Sequence, residues 1–383
     1  MDKKIKLLFI HHKLVCGGAE QALFDLVSLL DKQVFDITIF VEANGGEWEE
    51  KFRELGIRVE TEEICQKKSR SPFVKLSNWA KRKRIARCKA HGGRGMLDVC
   101  YPDEHFDLII AYHSGWNQNK CFRKGSRIIK YIHGDVGTLP DYRTDIERIL
   151  PAIPEFDCCI CVSEVAKQSF MKMTGRTENV YALFNPLNSD HVQALAEEPL
   201  DLGSDVPTIC AVGRLSHEKG FDRLIKIHKR LLDKGYVHKL VIVGDGPERA
   251  NLENAIRATG TQESVHLAGY QSNPYPYMKN SHFVVCSSYS EGLSMIAIEA
   301  LVLGIPVVSA VPSIGELLGD ELCGLVTEND DDSLEAGIEK VLADEAFYQQ
   351  LKAGAQRRSA FFDGRRMVSK VEKLYIDLAN KRG

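Results

Sequence analysis

The sequence predicts an α/β protein of two domains, each a doubly wound parallel sheet with helices on both faces. Short apolar runs alternate with longer stretches of helical periodicity, and most of the runs are continuously apolar rather than alternating. A second series of the same kind begins near Pro207. A chain of 383 residues is also too long for one ordinary core, so two domains are expected.

In the N-terminal half, the candidate strands are short, mainly apolar runs. They are 5–11, 37–41, 106–112, 127–133, 157–163 and 179–184. A helix is expected over 19–30, because its apolar residues at 22, 23, 26, 29 and 30 recur with helical spacing. The stretches between the strands are long enough for crossover helices, which favours a parallel sheet.

In the C-terminal half, the candidate strands are 208–212, 239–243, 265–267, 283–286 and 306–309. A helix is expected after the first of them, because residues 221–232 place their apolar side chains on one face. The segment 187–205 has weak periodicity and turn-rich ends, which are typical of a domain junction. We therefore expect two Rossmann-like domains, over residues 1–187 and 188–364.

The composition, 44% hydrophobic and 27% charged, is typical of a soluble globular protein. No apolar run reaches the roughly 18 residues that cross a bilayer, and the first apolar stretch is too short for a signal peptide. Eleven cysteines without a secretory signal favour a reducing, cytoplasmic compartment. Cys158 and Cys161 form a C-x-x-C within an apolar run, and we expect them to be buried strand residues, because residues three apart on a strand point to opposite faces.

The net charge of −3 conceals a strongly basic segment. Residues 67–94 contain eleven Lys and Arg and no Asp or Glu. As a helix from Pro72, the segment places Phe73, Leu76 and Trp79 among cations, which is typical of helices that lie on anionic membrane surfaces. It therefore predicts a peripheral position on the inner face of the plasma membrane. The alternative is a solvated loop, or a helix whose apolar face packs on the N-terminal sheet. A patch confined to one segment of an acidic protein does not favour nucleic acid as a partner.

Candidate binding residues follow the predicted strands, because ligands of open α/β sheets bind beyond the carboxyl ends of the strands. Gly17 and Gly18 follow the first strand and precede a helix, where they would let a ligand approach the backbone and the helix N-terminus. A plain tight turn explains them equally well.

Arg214 and Lys219 lie in one loop after strand 208–212, where a guanidinium fork and an ammonium can converge on a polyanion. This placement favours a phosphate site over two solvated surface charges.

Two acidic residues follow strand 283–286. Glu291 opens a turn, and Glu299 is expected inside a helix from Leu293 onward, just over two turns on and near the same face. A carboxylate that accepts hydrogen bonds from two vicinal hydroxyls is a common way to hold a ribose. The neighbours of Glu299 are apolar, where an acid without a partner is disfavoured. Together with the cationic pair, these acids indicate one ligand, a nucleoside diphosphate that carries a sugar.

Four segments of the chain resemble the retaining GT-B glycosyltransferases of family 4: GGAEQ, VGRLSHEKGFDRLI, VIVGDGPER and SSYSEGLSMIAIEALVLGIPVV. The resemblance covers nearly the whole chain, and its most specific element is the E-x7-E pair Glu291 and Glu299. The segment NPYPYMKNSHFVVCSSYSEG is especially similar to bacterial enzymes that build capsular or other surface polysaccharides. The resemblance implies the GT-B fold, in which two Rossmann-like domains face a cleft. It also implies transfer of a sugar from a nucleotide donor to a saccharide or lipid-linked saccharide.

The resemblance assigns the donor site to the C-terminal domain. Arg214 and Lys219 would neutralise the donor diphosphate, Glu299 would bind the ribose, and Glu291 would contact the donor sugar. Three residues after Glu291 are also expected to take part in donor binding: Gly292, Leu293 and Ser294.

The resemblance also assigns residues of the N-terminal domain. Gly17 and Gly18 would lie under the pyrophosphate, and His133, in YIHGD, would face the sugar near the reacting centre. Asn185-Pro186 matches the N-P at the end of the family's N-terminal domain. The final segment, 365–383, would cross back as a helix to cover that domain.

The cationic pair favours a mechanism without a metal ion or other cofactor. Arg214, Lys219 and helix N–H groups can stabilise the leaving diphosphate without Mg²⁺. The aspartates at 330–332 lie in a predicted surface loop, where a helix cap is expected. In the family, retention is explained by same-face attack, in which the departing phosphate takes the acceptor's proton. His133 is then an orienting or electrostatic group more than an obligate base.

Other classes of protein fit the sequence less well. VIVGDGPERA has a G-x-G after a strand, as dinucleotide-binding oxidoreductases do, but Arg249 stands where the fingerprint needs a third glycine. A glycosyl phosphorylase would share the fold but would need cofactor machinery that the sequence lacks. A non-catalytic sugar-nucleotide-binding subunit stays open. The sequence does not specify the donor sugar or the acceptor, and UDP is expected because it is the commoner donor in proteins of this kind.

Overall fold

Two compact units make up the chain in the computed structural model, which describes residues 3–15, 17–61, 63, 72–90, 95–113, 126–134, 136, 147, 150–203, 206–289 and 291–381. Unit 1 comprises Met1–Pro186 and Met367–Gly383, and unit 2 comprises Leu187–Arg366. The sequence placed this boundary between residues 187 and 188. Each unit has a sheet of its own.

Unit 1 contains a seven-stranded sheet in which all described pairings are parallel. Its strands are β1 (Ile5–His11), β2 (Phe35–Val41), β3 (Arg58–Thr61), β4 (Leu108–Ala111), β5 (Arg127–Ile132), β6 (Cys158–Cys161) and β7 (Val180–Ala182). Their spatial order is β3-β2-β1-β4-β5-β6-β7. The order reverses beside β1, which is the switch point where doubly wound sheets bind ligands.

Unit 2 contains a six-stranded sheet, again with all described pairings parallel. Its strands are β8 (Thr208–Val212), β9 (Lys239–Val243), β10 (Val265–Gly269), β11 (Phe283–Cys286), β12 (Val307–Ser309) and β13 (Gly324–Val326). Their order is β10-β9-β8-β11-β12-β13, so β8 and β11 flank the switch point. These two sheets confirm the predicted fold class of two doubly wound α/β domains.

The helices whose bounds the structure describes connect the strands as crossovers or follow them. They are α1 (Gly18–Leu29), α2 (Glu49–Glu54), α3 (Pro72–Ala90), α4 (Met96–Cys100), α5 (Glu164–Thr174), α6 (Ser189–Leu195), α7 (Phe221–Asp233), α8 (Arg249–Thr259), α9 (Tyr275–Lys279), α10 (Met295–Val302), α11 (Ile314–Leu318), α12 (Asp331–Ala343), α13 (Glu345–Ser359) and α14 (Gly364–Asn380). Short 3₁₀ helices occupy Leu150–Glu155, His217–Lys219 and Ala360–Phe362. The predicted junction therefore contains α6.

Two edge strands, β3 and β13, were not predicted, because β3 is largely polar and β13 is only three residues long. The sequence of β3 is RVET, with its first residue exposed and the other three half-buried. The sequence of β13 is GLV, and only its first residue is buried. Both strands lie at a sheet edge, where less of each strand is covered than in the centre.

The core of unit 1 lies on both faces of its sheet, because successive residues of a strand point to opposite faces. Leu7 and Phe9 of β1 belong to one buried cluster, and Leu8 and Ile10 belong to another. The first cluster also contains side chains of α14, so the end of the chain completes the core of unit 1. These side chains are Val368, Val371, Tyr375 and Leu378.

Helix α10 begins later than the sequence predicted. The expected helix ran from Leu293 onward, whereas the helix starts at Met295. Its N-cap is Ser294, whose hydroxyl accepts a hydrogen bond from the Ala297 N–H and so satisfies one of the free donors of the first turn. Glu291 therefore lies in the loop before the helix and not on the same helical face as Glu299, which corrects that prediction.

Two other local predictions are confirmed. Asp330 is the N-cap of α12, and its carboxylate accepts from the Ser333 N–H, so the aspartate run is a helix cap. The cysteines of the C-x-x-C, Cys158 and Cys161, are fully buried in β6. Their pKa values are raised because burial disfavours the thiolate.

The basic segment forms α3, in line with the expected start at Pro72, while residues 67–71 and 91–94 lie outside the described part of the chain. Near its C-terminal end, Ile85 is buried in a cluster with residues of α4. Near its N-terminal end, the side chains of Phe73, Leu76 and Trp79 are 82%, 64% and 53% exposed. Neither α3 nor any other described helix has the length and apolar character that a membrane crossing requires.

Candidate functional site

A loop after β8 carries the two predicted cations of unit 2. Leu215 is fully buried and fixes this loop: its N–H donates to the Asp245 carbonyl at 3.0 Å, and its carbonyl accepts from the Glu248 N–H at 2.9 Å. Arg214, next to this anchor, is exposed. The loop thus has a rigid base beside the carboxyl end of β9 and an accessible guanidinium.

Lys219 and Glu291 come together at the carboxyl ends of β8 and β11. The Lys219 ammonium donates to Glu291 Oε1 at 2.8 Å, and the Ser288 hydroxyl donates to the same oxygen. Burial alone would lower the pKa of Lys219, but the Glu291 carboxylate outweighs burial, and the pKa is raised. Lys219 therefore keeps its positive charge at neutral pH. A bound phosphate would compete with Glu291 for the Lys219 ammonium.

The loops after β8 and β11 are also joined by two hydrogen bonds to backbone carbonyls. The Ser287 hydroxyl donates to the Lys219 carbonyl at 2.9 Å, and the Tyr289 N–H donates to the Glu218 carbonyl at 2.8 Å. Gly220 has φ +64°, and a Cβ there would overlap the Ser287 carbonyl oxygen. Only glycine therefore fits this junction without displacing one of the two loops.

Glu299, the second acid of the pair, lies in the middle of α10 with 4% of its surface exposed. Tyr275 of α9 donates its hydroxyl proton to Glu299 Oε1 at 3.4 Å. A buried carboxylate in this position is not an ordinary surface acid of a helix, since burial of a charge is costly without partners. Gly292 and Leu293 are half-buried in the loop between Glu291 and the Ser294 cap.

His133 follows β5 in unit 1. Its Nε2 lies 2.6 Å from the Tyr112 carbonyl, and because a carbonyl only accepts, Nε2 carries the proton and Nδ1 is the acceptor. Burial lowers its pKa to about 3, with His113 as the next cause. His133 is therefore neutral at pH 7, and it presents an acceptor nitrogen rather than a charge.

A group of buried and half-buried polar side chains lies near this histidine, and no motif in the sequence predicted it. The rings of His113 and His133 are 6.5 Å apart, and those of His11 and His113 are 4.8 Å apart. His11 Nε2 lies 3.7 Å from a carboxylate oxygen of Glu20 on α1. Within the described residues, no group of three or more His, Cys, Asp or Glu side chains has the arrangement of a metal site.

The predicted glycine turn, Gly17 and Gly18, leads into α1. The backbone of Gly17 is extended, with φ −168°, so its conformation does not require glycine. Its lack of a side chain matters instead, because a Cβ would lie 2.5 Å from Glu20 Oε2. At Gly18 a Cβ would meet nothing within 4 Å. Gly17 therefore leaves space for the buried carboxylate of Glu20, a role that is separate from its predicted place under a pyrophosphate.

Two residues beside the predicted site of unit 2 were missed by the sequence analysis. Ser288 holds Glu291, and Arg223 of α7, with 1% exposure, bonds to the backbone of the same loop. Serine is too common after a strand to be singled out. Arginine on a helix normally indicates a solvated face, so nothing in the local pattern predicts the burial of Arg223.

Comparison with known proteins gives one match to a family model and similarity to proteins of the same kind. Residues 193–358, which lie within unit 2, match the family of glycosyl transferases group 1. The chain is 24% identical to the amylovoran biosynthesis glycosyltransferase AmsD of Erwinia amylovora, over 90% of this chain and 92% of that protein.

A second relative is more similar over a shorter stretch. The chain is 33% identical to the Campylobacter jejuni N-acetylgalactosamine-N,N'-diacetylbacillosaminyl-diphospho-undecaprenol 4-alpha-N-acetylgalactosaminyltransferase, over 47% of this chain. It spans about half of that relative's length, 49%.

Among solved structures, the fold resembles that of Anabaena HepE in complex with UDP-glucose. The TM-score is 0.75 at 18% identity, over 97% of this chain and 100% of that one. This likeness confirms that the two α/β units form a protein of the GT-B fold class.

Proposed function

We propose that the protein is a glycosyltransferase that moves a sugar from a UDP-sugar to a saccharide or lipid-linked saccharide, in the synthesis of a surface polysaccharide or glycoconjugate. The chain carries a group 1 glycosyltransferase domain over residues 193–358. The observation that carries the proposal is the Lys219–Glu291 pair at the carboxyl ends of β8 and β11, with the exposed Arg214 in the same loop as Lys219. Two cations and an acid there match the charge of a diphosphate and the hydroxyls of a sugar.

Similar proteins support the donor and acceptor classes. HepE has been solved with UDP-glucose, which supports a UDP-sugar as donor. The name of the Campylobacter relative includes a diphospho-undecaprenol-linked saccharide, which supports a lipid-linked acceptor. The name of the Erwinia relative refers to synthesis of a polysaccharide, amylovoran.

In the proposed complex, Arg214 and Lys219 neutralise the donor diphosphate, and Glu299 accepts hydrogen bonds from the ribose hydroxyls. Gly292, Leu293 and Ser294 contribute backbone and cap groups before α10. Lys219 and Glu291 neutralise each other in the structure. The diphosphate would therefore replace Glu291 as the partner of Lys219, and the carboxylate would become free to accept from the donor sugar.

A titration tests donor binding. Lys219→Ala and Glu299→Ala should each weaken UDP binding by about ten- to hundredfold, because each removes a charge-assisted contact worth roughly 1.5–3 kcal/mol. Lys226→Ala is the control, because that lysine is on α7, 60% exposed, and pairs with Asp222 within the helix. Calorimetry with UDP measures all three variants. Unchanged UDP affinity in folded Lys219→Ala and Glu299→Ala would reject the site.

We propose further that the reaction needs no metal ion. The leaving diphosphate gains negative charge as the glycosidic bond breaks, and Arg214 and Lys219 supply fixed positive charge at that place. Turnover with a UDP-sugar panel should therefore persist in excess EDTA. A loss of turnover that Mg²⁺ restores would contradict this metal-free scheme. A different result, UDP-sugar binding without turnover on any acceptor, would favour a non-catalytic binding subunit.

The anomeric configuration is proposed to be retained. The acceptor oxygen would attack the anomeric carbon on the face that the diphosphate leaves, and the acceptor's proton would pass to the departing phosphate oxygen. His133 is suited to orientation rather than to general base catalysis, because burial lowers its pKa to about 3, so its Nδ1 is a weak base, and Nε2 is bonded to the Tyr112 carbonyl. NMR of the product formed from an α-linked donor tests this, since a β-linked product would exclude retention.

The N-terminal end of α3 is proposed to attach the protein to anionic membranes. Three large apolar side chains, Phe73, Leu76 and Trp79, are exposed there, and the Lys83 ammonium lies 4.0 Å from the ring centroid of Trp79. Each Lys or Arg near an anionic surface contributes roughly 1 kcal/mol. We expect co-sedimentation with anionic vesicles at low salt, and its loss at high salt or after charge reversal at 81–84. Protein that stays in the supernatant would reject the attachment.

A further inference from the structure

Arg223 is a buried cation directly beneath the proposed donor site. It is on the first turn of α7, and 1% of its surface is exposed. Its guanidinium donates to the Ser287 carbonyl at 2.7 Å, to the Ser288 carbonyl at 2.8 Å and to Asn329 Oδ1 at 2.9 Å. One side chain therefore joins α7 to the loops that follow β11 and β13.

The two serines that Arg223 holds through their carbonyls hold the proposed site through their hydroxyls. The Ser287 hydroxyl donates to the Lys219 carbonyl, and the Ser288 hydroxyl donates to Glu291. Arg223 thus binds the backbone of the same two serines whose hydroxyls contact Lys219 and Glu291. A shift of this backbone would move both partners of the ion pair.

Among the described residues, the charge of Arg223 is paired with a carboxylate only at the long distance of 4.0 Å. Within the described residues its nearest ion-pair partner is Asp331, at 4.0 Å, and its hydrogen bonds go to carbonyl and amide oxygens. The ring centroid of Tyr289 lies 4.3 Å from its guanidinium carbon. An arginine that is buried in this way costs desolvation energy, which an apolar side chain of similar size would avoid. A cation held next to the Lys219 loop also adds positive potential where a diphosphate would bind.

We propose that Arg223 is a positioning residue of the donor site, which holds the loop after β11 so that Glu291 and Lys219 lie in register for a nucleotide sugar. This inference rests on the proposed function, because it names a further residue of the same site. Arg223 touches no substrate in this scheme, since it acts through the backbone of Ser287 and Ser288.

The test compares UDP and UDP-sugar affinity in two substitutions of Arg223. Arg223→Lys keeps the charge but loses the planar fork, and Arg223→Met keeps the length without the charge. We expect Arg223→Lys to weaken UDP-sugar binding by about tenfold or more, and UDP binding by less, because Glu291 is the proposed contact of the sugar. The ratio of the UDP-sugar affinity to the UDP affinity should therefore fall. A role confined to stability would lower the melting temperature and leave that ratio unchanged.

Matched controls separate the possible failures. Arg230 lies on the same helix, is 43% exposed at its side chain and pairs with Asp332 and Glu335, so Arg230→Lys and Arg230→Met should leave both affinities unchanged. Asn329→Ala removes one bond to Arg223 and also the bond from Asn329 to the Tyr289 carbonyl in the loop after β11. It should lower the ratio in the same direction, even if Arg223→Met does not fold.

Wild-type protein that binds neither UDP nor any UDP-sugar would reject the proposed function itself. Wild-type protein that binds normally, with the affinity ratio unchanged in folded Arg223→Lys and in Asn329→Ala, would overturn the positioning role alone.

Discussion

Glu20 is a buried acid at the start of α1, where the helix exposes free N–H groups. Its residue is 6% exposed, and burial raises the pKa of its carboxyl to about 7. A carboxylate is favoured at a helix N-terminus, but the raised pKa means that loss of water outweighs this attraction. Glu20 is therefore a residue whose ionisation opposes folding near neutral pH.

The first prediction follows from this pKa. The folded pKa lies above the unfolded one, so the folded state holds the proton more tightly, and stability falls as pH rises from about 4.5 to 7 and stays lower above that range. Glu20→Gln should thus stabilise unit 1 at pH 8.5, by up to about 3 kcal/mol, and much less at pH 5. Urea unfolding at the two pH values measures the difference.

The matched control for this prediction is Glu50→Gln, on α2, whose side chain is 73% exposed. An equal effect of Glu20→Gln at both pH values would show that the substitution acts through packing and not through ionisation.

The residues that sequence could identify are those whose neighbours in the chain already make them unusual. Glu299 stands among apolar residues of one helix, and Lys219 follows a buried strand. Arg223 gave no such signal, because its partners Ser287 and Asn329 are 64 and 106 residues away in the chain. Burial of a charge by partners that are this far away in the sequence depends on the fold, which local sequence patterns do not describe.

At the scale of elements, both units repeat one arrangement between their first two strands. After β1, the carbonyl of buried Leu14 accepts from the Trp48 N–H at 3.1 Å. After β8, the carbonyl of buried Leu215 accepts from the Glu248 N–H at 2.9 Å. In each case a glycine two residues before the donor, Gly46 or Gly246, lies against that leucine's backbone.

The second prediction concerns these two glycines. A Cβ at Gly46 would overlap the Leu14 carbonyl, and one at Gly246 would overlap the Leu215 carbonyl; since the obstacle is backbone, a side-chain movement cannot relieve it. Gly46→Ala and Gly246→Ala should each destabilise their own unit by about 1–3 kcal/mol. Hydrogen exchange of β1 and β8 reports which unit is affected.

The control for these substitutions is Gly315→Ala in α11, where an added Cβ has its nearest neighbour at 4.0 Å, so it should be neutral or stabilising. A neutral result at both Gly46 and Gly246 would mean that the loops move apart at little cost.

Elements with continuous apolar runs were predictable, and their bounds were not. The predicted strand 106–112 is β4, Leu108–Ala111, because its first and last residues extend beyond the ladder. The start of α10 shifted to Met295 because the Ser294 side chain caps the helix there. Caps and ladder ends depend on which hydrogen bonds form, whereas the run of apolar residues records only burial.

At the scale of the whole molecule, the chain passes from unit 1 to unit 2 and ends in unit 1 again. The family model covers 193–358 and so describes neither the first unit nor the last helix. Helical periodicity in the last segment was visible in the sequence, but the sheet that it packs on was inferred only from resemblance. The contacts of α14 show that it packs on the sheet of unit 1: the Tyr375 hydroxyl lies 2.8 Å from the hydroxyl of Tyr131 on β5, and both side chains are buried.

The last prediction is that truncation after Asp363 yields insoluble protein or a protein without activity, because it removes part of the core of unit 1. Helix α14 contributes Val368, Val371, Tyr375 and Leu378 to that core. Burial of each such side chain is worth about 1.5–3 kcal/mol, so their joint loss is of the same order as the roughly 5–15 kcal/mol that stabilises a domain. The bond from the Asp31 N–H to Glu372, at 2.8 Å, would also be lost.

Limited proteolysis locates the damage from this truncation. Cleavage should begin in unit 1, since α14 belongs to the core of that unit, while fragments of unit 2 should persist for longer. Lys373→Ala changes an exposed position of the same helix and serves as the control for effects unrelated to the core. Tyr375→Phe gives a graded version, because it leaves the buried Tyr131 hydroxyl without this partner at a cost of about 1–3 kcal/mol. A soluble truncated protein with normal protease resistance in unit 1 and full transferase activity would show that the sheet holds its core without α14.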